Sequence, residues 1–290
     1  MSAHLREEDV AAFERDGVVC LRGAIGREWL ERLADAVERE LTGSRSADLT
    51  AMARDIEESG GKSVATPPRA GTTAGRFVAG TDHWRHDLVF RAFAIESPLA
   101  ELAAGLMRSE ATYLYEDSLL VKEPGTREAT AFHQDMGYFH VSGEQACTTW
   151  CPLDRVTAES GALRYVRGSH RWGRDFKPNL FVTNAELPGV EGESVPAIED
   201  DPEAYDLVSF ELEPGDVAVH HARTIHGGFP NASPHRRRAI SVRYCGDDAR
   251  HYIRTGAPTK PHHAHVRDGD PLGDADCPRV WPQERSSEGA

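Results

Sequence analysis

The chain has 290 residues, of which 39% are hydrophobic and 8% aromatic, and its formal net charge is −14. This acidic balance disfavours nucleic acid and anionic membrane surfaces as partners, because both bind proteins through positive fields. No apolar run approaches the roughly 20 residues of a membrane-spanning helix, and the chain does not open with a basic segment followed by an apolar core, so we expect a cytoplasmic protein. The cysteines are scattered and odd in number, which favours reduced thiols over disulfides.

The N-terminal part of the chain is predicted to be mostly helical, with one long loop. Apolar residues at helical spacing indicate helices over 7–15 and 27–41, separated by a short strand over 18–21. Residues 44–75 are polar and rich in Gly, Pro, Ser and Thr, which predicts a long loop, either a lid or a surface excursion without function. A helical pattern returns over 84–108.

Short strand-like segments dominate the middle of the chain. They are rich in apolar and β-branched residues and are bounded by Gly, Pro or Asn. The predicted strands are 112–122, 145–152, 162–166, 207–212, 216–221 and 238–245. This density of strands favours a jelly roll or a similar double sheet. We therefore expect a single domain over 1–290, with a mostly helical part and loop (1–110), a β core that holds the site (111–250) and a polar C-terminal tail of loops (251–290).

One extended segment of the predicted β core carries two metal-ligand side chains, His133 and Asp135. Side chains two positions apart on such a segment point to the same side, so both can bind one ion. A distant histidine can complete the set, and His220, His221 and His226 are all candidates. Two imidazoles and one carboxylate on one face of a metal are typical of non-haem Fe(II) sites that activate oxygen. Alone, however, a His-x-Asp pair is weak evidence, because such pairs usually only form hydrogen bonds in loops.

Several short segments of the β half occur together in a characteristic order. They are Val121-Lys122-Glu123-Pro124, His133-Gln134-Asp135, Thr149-Trp150, Ser160-Gly161-Ala162-Leu163, Arg167-Gly168-Ser169-His170, Pro214-Gly215-Asp216, His226-Gly227-Gly228, Asn231 and Arg237-Arg238-Ala239-Ile240-Ser241. In this combination, the stretches 119–173 and 214–244 resemble the phytanoyl-CoA dioxygenase family of Fe(II)/2-oxoglutarate-dependent oxygenases. Each segment alone is unspecific, whereas the combination is specific. The resemblance implies a mainly β fold with flanking helices, the cupin-like double-stranded β-helix or jelly roll.

The resemblance also implies which residues form the site. It assigns His133, Asp135 and His226 as iron ligands, because the two glycines after His226 and the basic run beyond them match the family pattern. Among the arginines of that run, the family's spacing selects Arg237 for the far carboxylate of 2-oxoglutarate. A planar guanidinium suits this role, since its fork matches a carboxylate.

Three further residues are candidates for the 2-oxoglutarate pocket. Trp150 falls where the family carries a tryptophan near the co-substrate, with core packing as the competing role. Lys122 resembles a family lysine near the same pocket, and a solvent-facing lysine is the alternative. Ser241 shares the strand face of Arg237 and could help to hold the co-substrate.

The substrate is expected to be small. A CoA thioester carries several phosphate charges and needs a basic groove, whereas this chain is acidic and lacks a second cluster of Lys and Arg. We therefore expect a small polar metabolite or a natural-product intermediate instead of a CoA thioester. The candidate substrate-contacting residues are Tyr115, Asp117, Met136, Tyr138 and Arg76, and for each of them packing or a surface position is the alternative.

The sequence thus predicts an Fe(II)- and 2-oxoglutarate-dependent dioxygenase that hydroxylates an unactivated C–H bond, with O2 as co-substrate and release of succinate and CO2. Related halogenating enzymes carry a small residue in place of the carboxylate ligand, so the presence of Asp135 favours hydroxylation over halogenation. One alternative is a non-catalytic, cupin-like small-molecule-binding protein in which the three side chains form a structural polar cluster. Another is a hydrolytic zinc enzyme, in which Arg237 would have no dicarboxylate to bind.

Overall fold

The structure is a computed structural model that describes residues 5–67, 73–260 and 264–283. Its α-helices are α1 (Glu7–Asp16), α2 (Arg27–Leu41), α3 (Leu49–Glu58), α4 (Leu88–Glu96) and α5 (Leu99–Met107). Its strands are β1 (Val18–Leu21), β2 (Ala47–Asp48), β3 (Phe77–Thr81), β4 (Thr112–Lys122), β5 (Thr130–His133), β6 (Val141–Ser142), β7 (Ala146–Pro152), β8 (Leu163–Val166), β9 (Leu207–Ser209), β10 (Val217–His221), β11 (His226–Gly228), β12 (Arg237–Cys245), β13 (Arg250–His251) and β14 (Arg279–Trp281).

Two antiparallel sheets form the core. The large sheet has the strand order β1-β10-β7-β12-β4-β3-β2, and β14 also pairs with β4. The small sheet has the order β5-β11-β8-β9, and β13 and β6 form a separate pair. The predicted mainly β jelly roll with flanking helices is therefore confirmed.

Helices cover the outer face of the large sheet. The apolar sides of α1, α2, α4 and α5 form one core cluster with the outward-facing residues of this sheet. The cluster includes Phe13, Leu33, Phe93, Leu102, Leu119, Val121, Val219 and Ile240. β12 is buried along nearly its whole length because helices cover one face and the small sheet lies over the other. Polar residues on the inner face of β12 consequently point into the space between the sheets.

The predicted loop over 44–75 is wrong in part, because it contains β2 and α3. The Asp48 carboxylate accepts hydrogen bonds from the backbone N–H groups of Thr50 and Ala51, at 3.0 and 3.1 Å, and so caps the helix. Leu49 and Ala53 of α3 pack against Phe77. Within 44–75, residues 68–72 lie outside the described part of the structure, and the possible lid role stays a prediction.

Other boundaries differ from the predictions for local reasons. The helical segment 84–108 is divided into α4 and α5, because Ser97 precedes a proline and is extended, with φ −71° and ψ 167°. The predicted strand 207–212 is shorter, ending at Ser209. β3 was not predicted, although it pairs with β4 at the centre of the fold.

The tail over 251–290 was predicted as loops, and this is only partly right. β14 joins the large sheet, and His251 at the start of the tail belongs to the β13–β6 pair. All five cysteines lie within the described residues and are free thiols, as expected. The helices of the described segments are all too short or too polar to cross a bilayer.

Candidate metal centre

Three side chains converge between the two sheets. His133 Nε2 lies 3.6 Å and His226 Nε2 lies 3.9 Å from Asp135 Oδ1. The three ligand atoms are all within 4.8 Å of one another, and all three residues are buried. Three donors on one face of an ion, each bound at about 2.0–2.2 Å, lie about 3 Å from one another, so these atoms need to approach by roughly 1 Å to share one ion. The geometry therefore suits a metal held on one face by two imidazoles and one carboxylate.

Local structure brings the three residues together. His133 ends β5, and the extended backbone of Gln134 (φ −105°, ψ 137°) carries the strand alternation on to Asp135, which opens a 3-10 turn. His226 begins β11 and pairs directly with His133 across the small sheet. Gln134 points the other way, and its side-chain amide donates to the carbonyl of Arg223, at 2.8 Å.

The backbone sets the tautomers of both histidines. His133 Nδ1 lies 2.8 Å from the Ala131 carbonyl oxygen, and His226 Nδ1 lies 3.0 Å from that of Thr224. A carbonyl can only accept, so each Nδ1 carries a proton and donates it. The lone pair of each Nε2 is therefore free for a metal, and each ring is held in a fixed orientation.

The second oxygen of Asp135 is already engaged. The Thr148 hydroxyl donates to Asp135 Oδ2, and His220 Nε2 lies 3.1 Å from the same atom. These contacts leave Oδ1 as the oxygen that faces His133 and His226. His220 therefore orients the Asp135 carboxylate through a hydrogen bond. It is not the third metal ligand, a role for which the sequence had made it a candidate.

The protonation states also favour a metal. Burial lowers the pKa of His226 well below its usual value, so the ring is neutral. Burial alone would raise the pKa of Asp135, but interactions that include the hydrogen bond from His220 and the charge of Arg243 outweigh it and hold that pKa well below the usual value. A neutral imidazole beside an ionised carboxylate is the combination that metal binding requires.

A narrow cavity of about 30 Å³ adjoins this cluster, room for little more than a water molecule before a ligand enters. Both sheets line it, together with the segment around residue 181. Its walls are formed by Phe77, Leu120, Thr130, His133, Asp135, Thr148, Trp150, Leu163, Phe181, His220, His226, Arg237, Ser241 and Arg243. The apolar members shield the polar ones from water.

Arg237 lies in this cavity and is 2% exposed. Its Nη1 donates to the Leu120 carbonyl at 3.3 Å, while its buried Nε has no partner among the described residues. Burial lowers the pKa of Arg237 to about 10, so the guanidinium is still charged at neutral pH. Unpartnered buried charged donors are costly, and a carboxylate of a bound ligand would satisfy this one.

The other predicted co-substrate residues surround Arg237. Trp150 Nε1 and Ser241 Oγ both line the cavity and lack hydrogen-bond partners in the described structure. Lys122 pairs with Arg237 in the β4–β12 register, and its Nζ donates to the Phe229 carbonyl at 2.7 Å. Burial, and then the nearby Arg237, lower the pKa of Lys122 well below its usual value. These donor groups fit a dicarboxylate whose keto-acid end reaches the metal.

The structure does not bring the five predicted substrate residues to the cavity. Tyr115 accepts a hydrogen bond from the His140 backbone at 2.8 Å and packs in a separate apolar cluster with Met136. Asp117 is buried and accepts from the backbone N–H of Trp84, at 3.0 Å.

The last two candidates are also placed elsewhere. Tyr138 donates to the Asn179 carbonyl, at 2.8 Å, so its hydroxyl is occupied, although its ring packs beside His133. Arg76 is exposed at the surface. Four of the five candidates therefore have packing or hydrogen-bonding roles within the fold, and the fifth is a surface residue.

Several lining residues were missed from the sequence. Thr148 is two positions before Trp150, so strand alternation could have placed both on one face. Phe181 could not have been found in this way. A hydrogen bond from the Val182 N–H to the Leu180 carbonyl, at 2.7 Å, closes a γ-turn in which Phe181 has a φ of +63°. This uncommon backbone carries the Phe181 ring to 4.8 Å from the ring of His133.

Comparisons with known proteins give the same fold and family. The chain is 28% identical over 149 residues to a probable phytanoyl-CoA dioxygenase of Caenorhabditis elegans, which covers 49% of this chain and 45% of that protein. It is 26% identical over 223 residues to the 1-deoxypentalenic acid 11-beta-hydroxylase of Streptomyces exfoliatus, covering 76% and 73%. The chain spans about half the length of the nematode relative.

Among solved structures, the carbocyclase SnoK from nogalamycin biosynthesis, described as non-haem and alpha-ketoglutarate-dependent, superposes with a TM-score of 0.68 at 22% identity, covering 97% of this chain and 98% of that one. EctD from S. alaskensis, solved with 2-oxoglutarate and 5-hydroxyectoine, gives 0.63 at 20% identity, covering 92% and 86%. The model of the phytanoyl-CoA dioxygenase (PhyH) family matches residues 13–239. The chain therefore belongs to the phytanoyl-CoA dioxygenase family.

Proposed function

We propose that this protein is an Fe(II)- and 2-oxoglutarate-dependent dioxygenase that hydroxylates a small molecule. One observation carries the proposal. His133, Asp135 and His226 converge in the same cavity as the buried guanidinium of Arg237, which has no carboxylate partner within the described segments. Iron, when bound with 2-oxoglutarate, supplies the oxygen activation that oxidises a C–H bond and releases succinate and CO2.

The residues of the chain have distinct roles in this proposal. His133 and His226 turn their Nε2 atoms toward the site because each Nδ1 donates to a backbone carbonyl. Asp135 presents Oδ1 because Thr148 and His220 hold its other oxygen. An ion held by these three atoms would keep coordination positions available for other ligands.

The far carboxylate of 2-oxoglutarate is bound by Arg237, with Ser241 and Trp150 as further donors. A guanidinium holds a carboxylate through two parallel hydrogen bonds, which fixes both position and orientation. Phe77, Leu163 and the other apolar walls keep water away from the reacting groups.

We further propose that the substrate is a small metabolite or natural-product intermediate and not a CoA thioester. The net charge of −14 supports this, because a polyanionic thioester would be repelled. Related proteins also act on or bind small molecules, for example 5-hydroxyectoine in the EctD complex. A small substrate needs no basic groove in addition to the two arginines that line the cavity.

The direct test is succinate release. Purified protein with Fe(II), 2-oxoglutarate and O2 is screened over candidate small metabolites, and succinate is measured with and without each one. We expect substrate-stimulated succinate formation that is lost in His133→Ala and Asp135→Ala. His86→Ala, at an exposed position, is the matched control and retains activity. Succinate formation that survives Asp135→Ala would remove the basis of the proposal. Hydrolysis that depends on Zn(II) and needs no 2-oxoglutarate would favour the hydrolytic zinc enzyme instead.

A further inference from the structure

The cavity contains a second buried guanidinium, that of Arg243. Arg243 lies on the same face of β12 as Arg237 and Ser241, because the three residues share strand parity. It lines the cavity and is 6% exposed. Nothing in the binding of one dicarboxylate by Arg237 explains why a second arginine should be here.

The two arginines present their donors in the same way. Arg243 Nη1 donates to the Ser118 hydroxyl and lies 3.3 Å from Glu116 Oε1, while its Nε is buried and has no hydrogen-bond partner among the described residues. In Arg237 the Nη1 is likewise anchored, to Leu120, and the Nε is likewise without a partner. In both side chains one terminal nitrogen is tied to the protein and the edge that includes Nε is left open. That edge is the one that binds a carboxylate side-on with two parallel hydrogen bonds.

Glu116 does not neutralise Arg243 by itself. The Glu116 carboxylate also forms an ion pair with Lys260, and Lys260 in turn lies 2.9 Å from Asp82. Glu116 therefore divides its charge between two cations and touches Arg243 only on the Nη1 side. A buried charged donor that is left without an acceptor is destabilising, so the open edge favours an anionic ligand.

Arg243 lies at the metal end of the cavity. It pairs with Thr148 in the β7–β12 register, and the Thr148 hydroxyl binds Asp135. Arg237 is six residues away along β12 and pairs with Lys122, and its guanidinium lies 5.4 Å from the Trp150 ring. The two guanidinium groups therefore enter the same cavity from different positions along β12.

We propose that Arg243 is a second carboxylate-binding residue, which receives a carboxylate group beside Asp135. This inference rests on the proposed function. The carboxylate has two possible sources with the same chemistry, the keto-acid end of 2-oxoglutarate or an acid group on the substrate.

The test separates these sources by measuring two affinities. The dissociation constant of 2-oxoglutarate is measured anaerobically on the Fe(II)-loaded protein from its visible charge-transfer band. Benzoate, a carboxylate with an apolar body, is then titrated into the Fe(II)–2-oxoglutarate complex by calorimetry. Arg243→Lys keeps the charge beside Glu116 but removes the fork, and Arg243→Gln is a second variant that keeps a donor for Ser118. Arg238→Lys is the matched control, because Arg238 lies on the other face of β12 and pairs with Asp154.

We expect one affinity to fall by about 10- to 100-fold in both Arg243 variants, as the loss of a charge-assisted hydrogen bond implies, and to change by less than about twofold in Arg238→Lys. Loss of 2-oxoglutarate affinity identifies the keto-acid end, and loss of benzoate affinity alone identifies a substrate acid. The inference is overturned if both variants bind both ligands as the wild type does. It is also overturned if the wild type binds no benzoate and the Arg243 variants keep full 2-oxoglutarate affinity. A wild type that shows no 2-oxoglutarate band would instead refute the proposed function, and this inference with it.

Discussion

Replacing Arg237 by methionine should stabilise the ligand-free protein and abolish 2-oxoglutarate binding. The buried guanidinium carries a charge that no carboxylate neutralises within the described residues, so the folded protein bears the cost of desolvating it. Methionine has a similar length and no charge, and it fits irregular apolar space. The same change removes the fork that the proposal assigns to the far carboxylate.

The magnitude follows from the pKa of Arg237, which burial lowers from 12.5 to about 10. At about 1.4 kcal/mol per pKa unit, this difference corresponds to about 3 kcal/mol. Loss of the hydrogen bond from Nη1 to the Leu120 carbonyl offsets about 1 kcal/mol, which leaves a net gain of about 2 kcal/mol. With an unfolding entropy of about 2.1 cal/mol/K per residue over 290 residues, we expect the unfolding midpoint to rise by about 3 °C.

The assay is thermal unfolding of the Fe(II)-loaded protein under anaerobic conditions, with and without 2-oxoglutarate. In the wild type, ligand at about 100 times its dissociation constant should add about 2.7 kcal/mol of stability. In Arg237→Met the added ligand should have no effect, although the ligand-free midpoint is higher. A variant that is less stable than the wild type and is still stabilised by 2-oxoglutarate would refute this reasoning.

Three further predictions concern the surroundings of the site. Burial raises the pKa of Asp117 to about 8, so the folded protein holds a proton that the unfolded chain releases above about pH 4. The stability of the wild type relative to Asp117→Asn should therefore fall by up to about 5 kcal/mol as pH rises from 4 to 8, measured by urea unfolding. His220→Phe removes a hydrogen bond to Asp135 and should weaken Fe(II) binding by about 10- to 100-fold, measured by anaerobic titration. Gly227→Ala would place a Cβ 2.8 Å from the Thr130 carbonyl oxygen and 3.2 Å from the Phe132 ring and should destabilise the protein by about 1–3 kcal/mol in urea unfolding.

Each of these predictions has a contrary result. An Asp117→Asn protein with the pH profile of the wild type would show that the carboxyl is ionised in the fold. Unchanged Fe(II) affinity in His220→Phe would show that Thr148 alone orients the metal carboxylate. A fully stable Gly227→Ala protein would mean that the small sheet can shift beside His226.

The parts of the fold set by strand alternation could be predicted from the sequence. The predicted strand over 112–122 matches β4, and the two-residue spacing of His133 and Asp135 does bring both side chains together. Alternation from Arg237 also correctly places Ser241 in the cavity. These features depend only on the local period of an extended chain.

Asp117, one of the predicted substrate residues, lies on the face of β4 that turns away from the cavity. Leu120 lines the cavity, and Lys122, two positions later, lies on the same side of β4. Leu119 and Asp117 lie on the other side, where Leu119 packs with the helices and Asp117 accepts a hydrogen bond from Trp84. An assignment of Lys122 to the pocket already excluded Asp117 from the same side. Once one residue of a strand is assigned to the pocket, alternation decides which other residues of that strand can face it.

Other features needed the three-dimensional structure. α3 has a capping residue, Asp48, and apolar residues at helical spacing. The helix was missed because the sequence around it is rich in Gly and Pro. The positive φ of Phe181 and the pairing of Thr148 with Asp135 depend on contacts between distant segments. No local pattern encodes such contacts.

The most direct test of the central claim is an anaerobic titration of the Fe(II)-loaded protein with 2-oxoglutarate, followed in the visible spectrum. The account predicts a weak charge-transfer band that saturates at one 2-oxoglutarate per chain and is absent in Asp135→Ala. A wild-type protein that binds Fe(II) but gives no band, or a band that persists unchanged in Asp135→Ala, would contradict it.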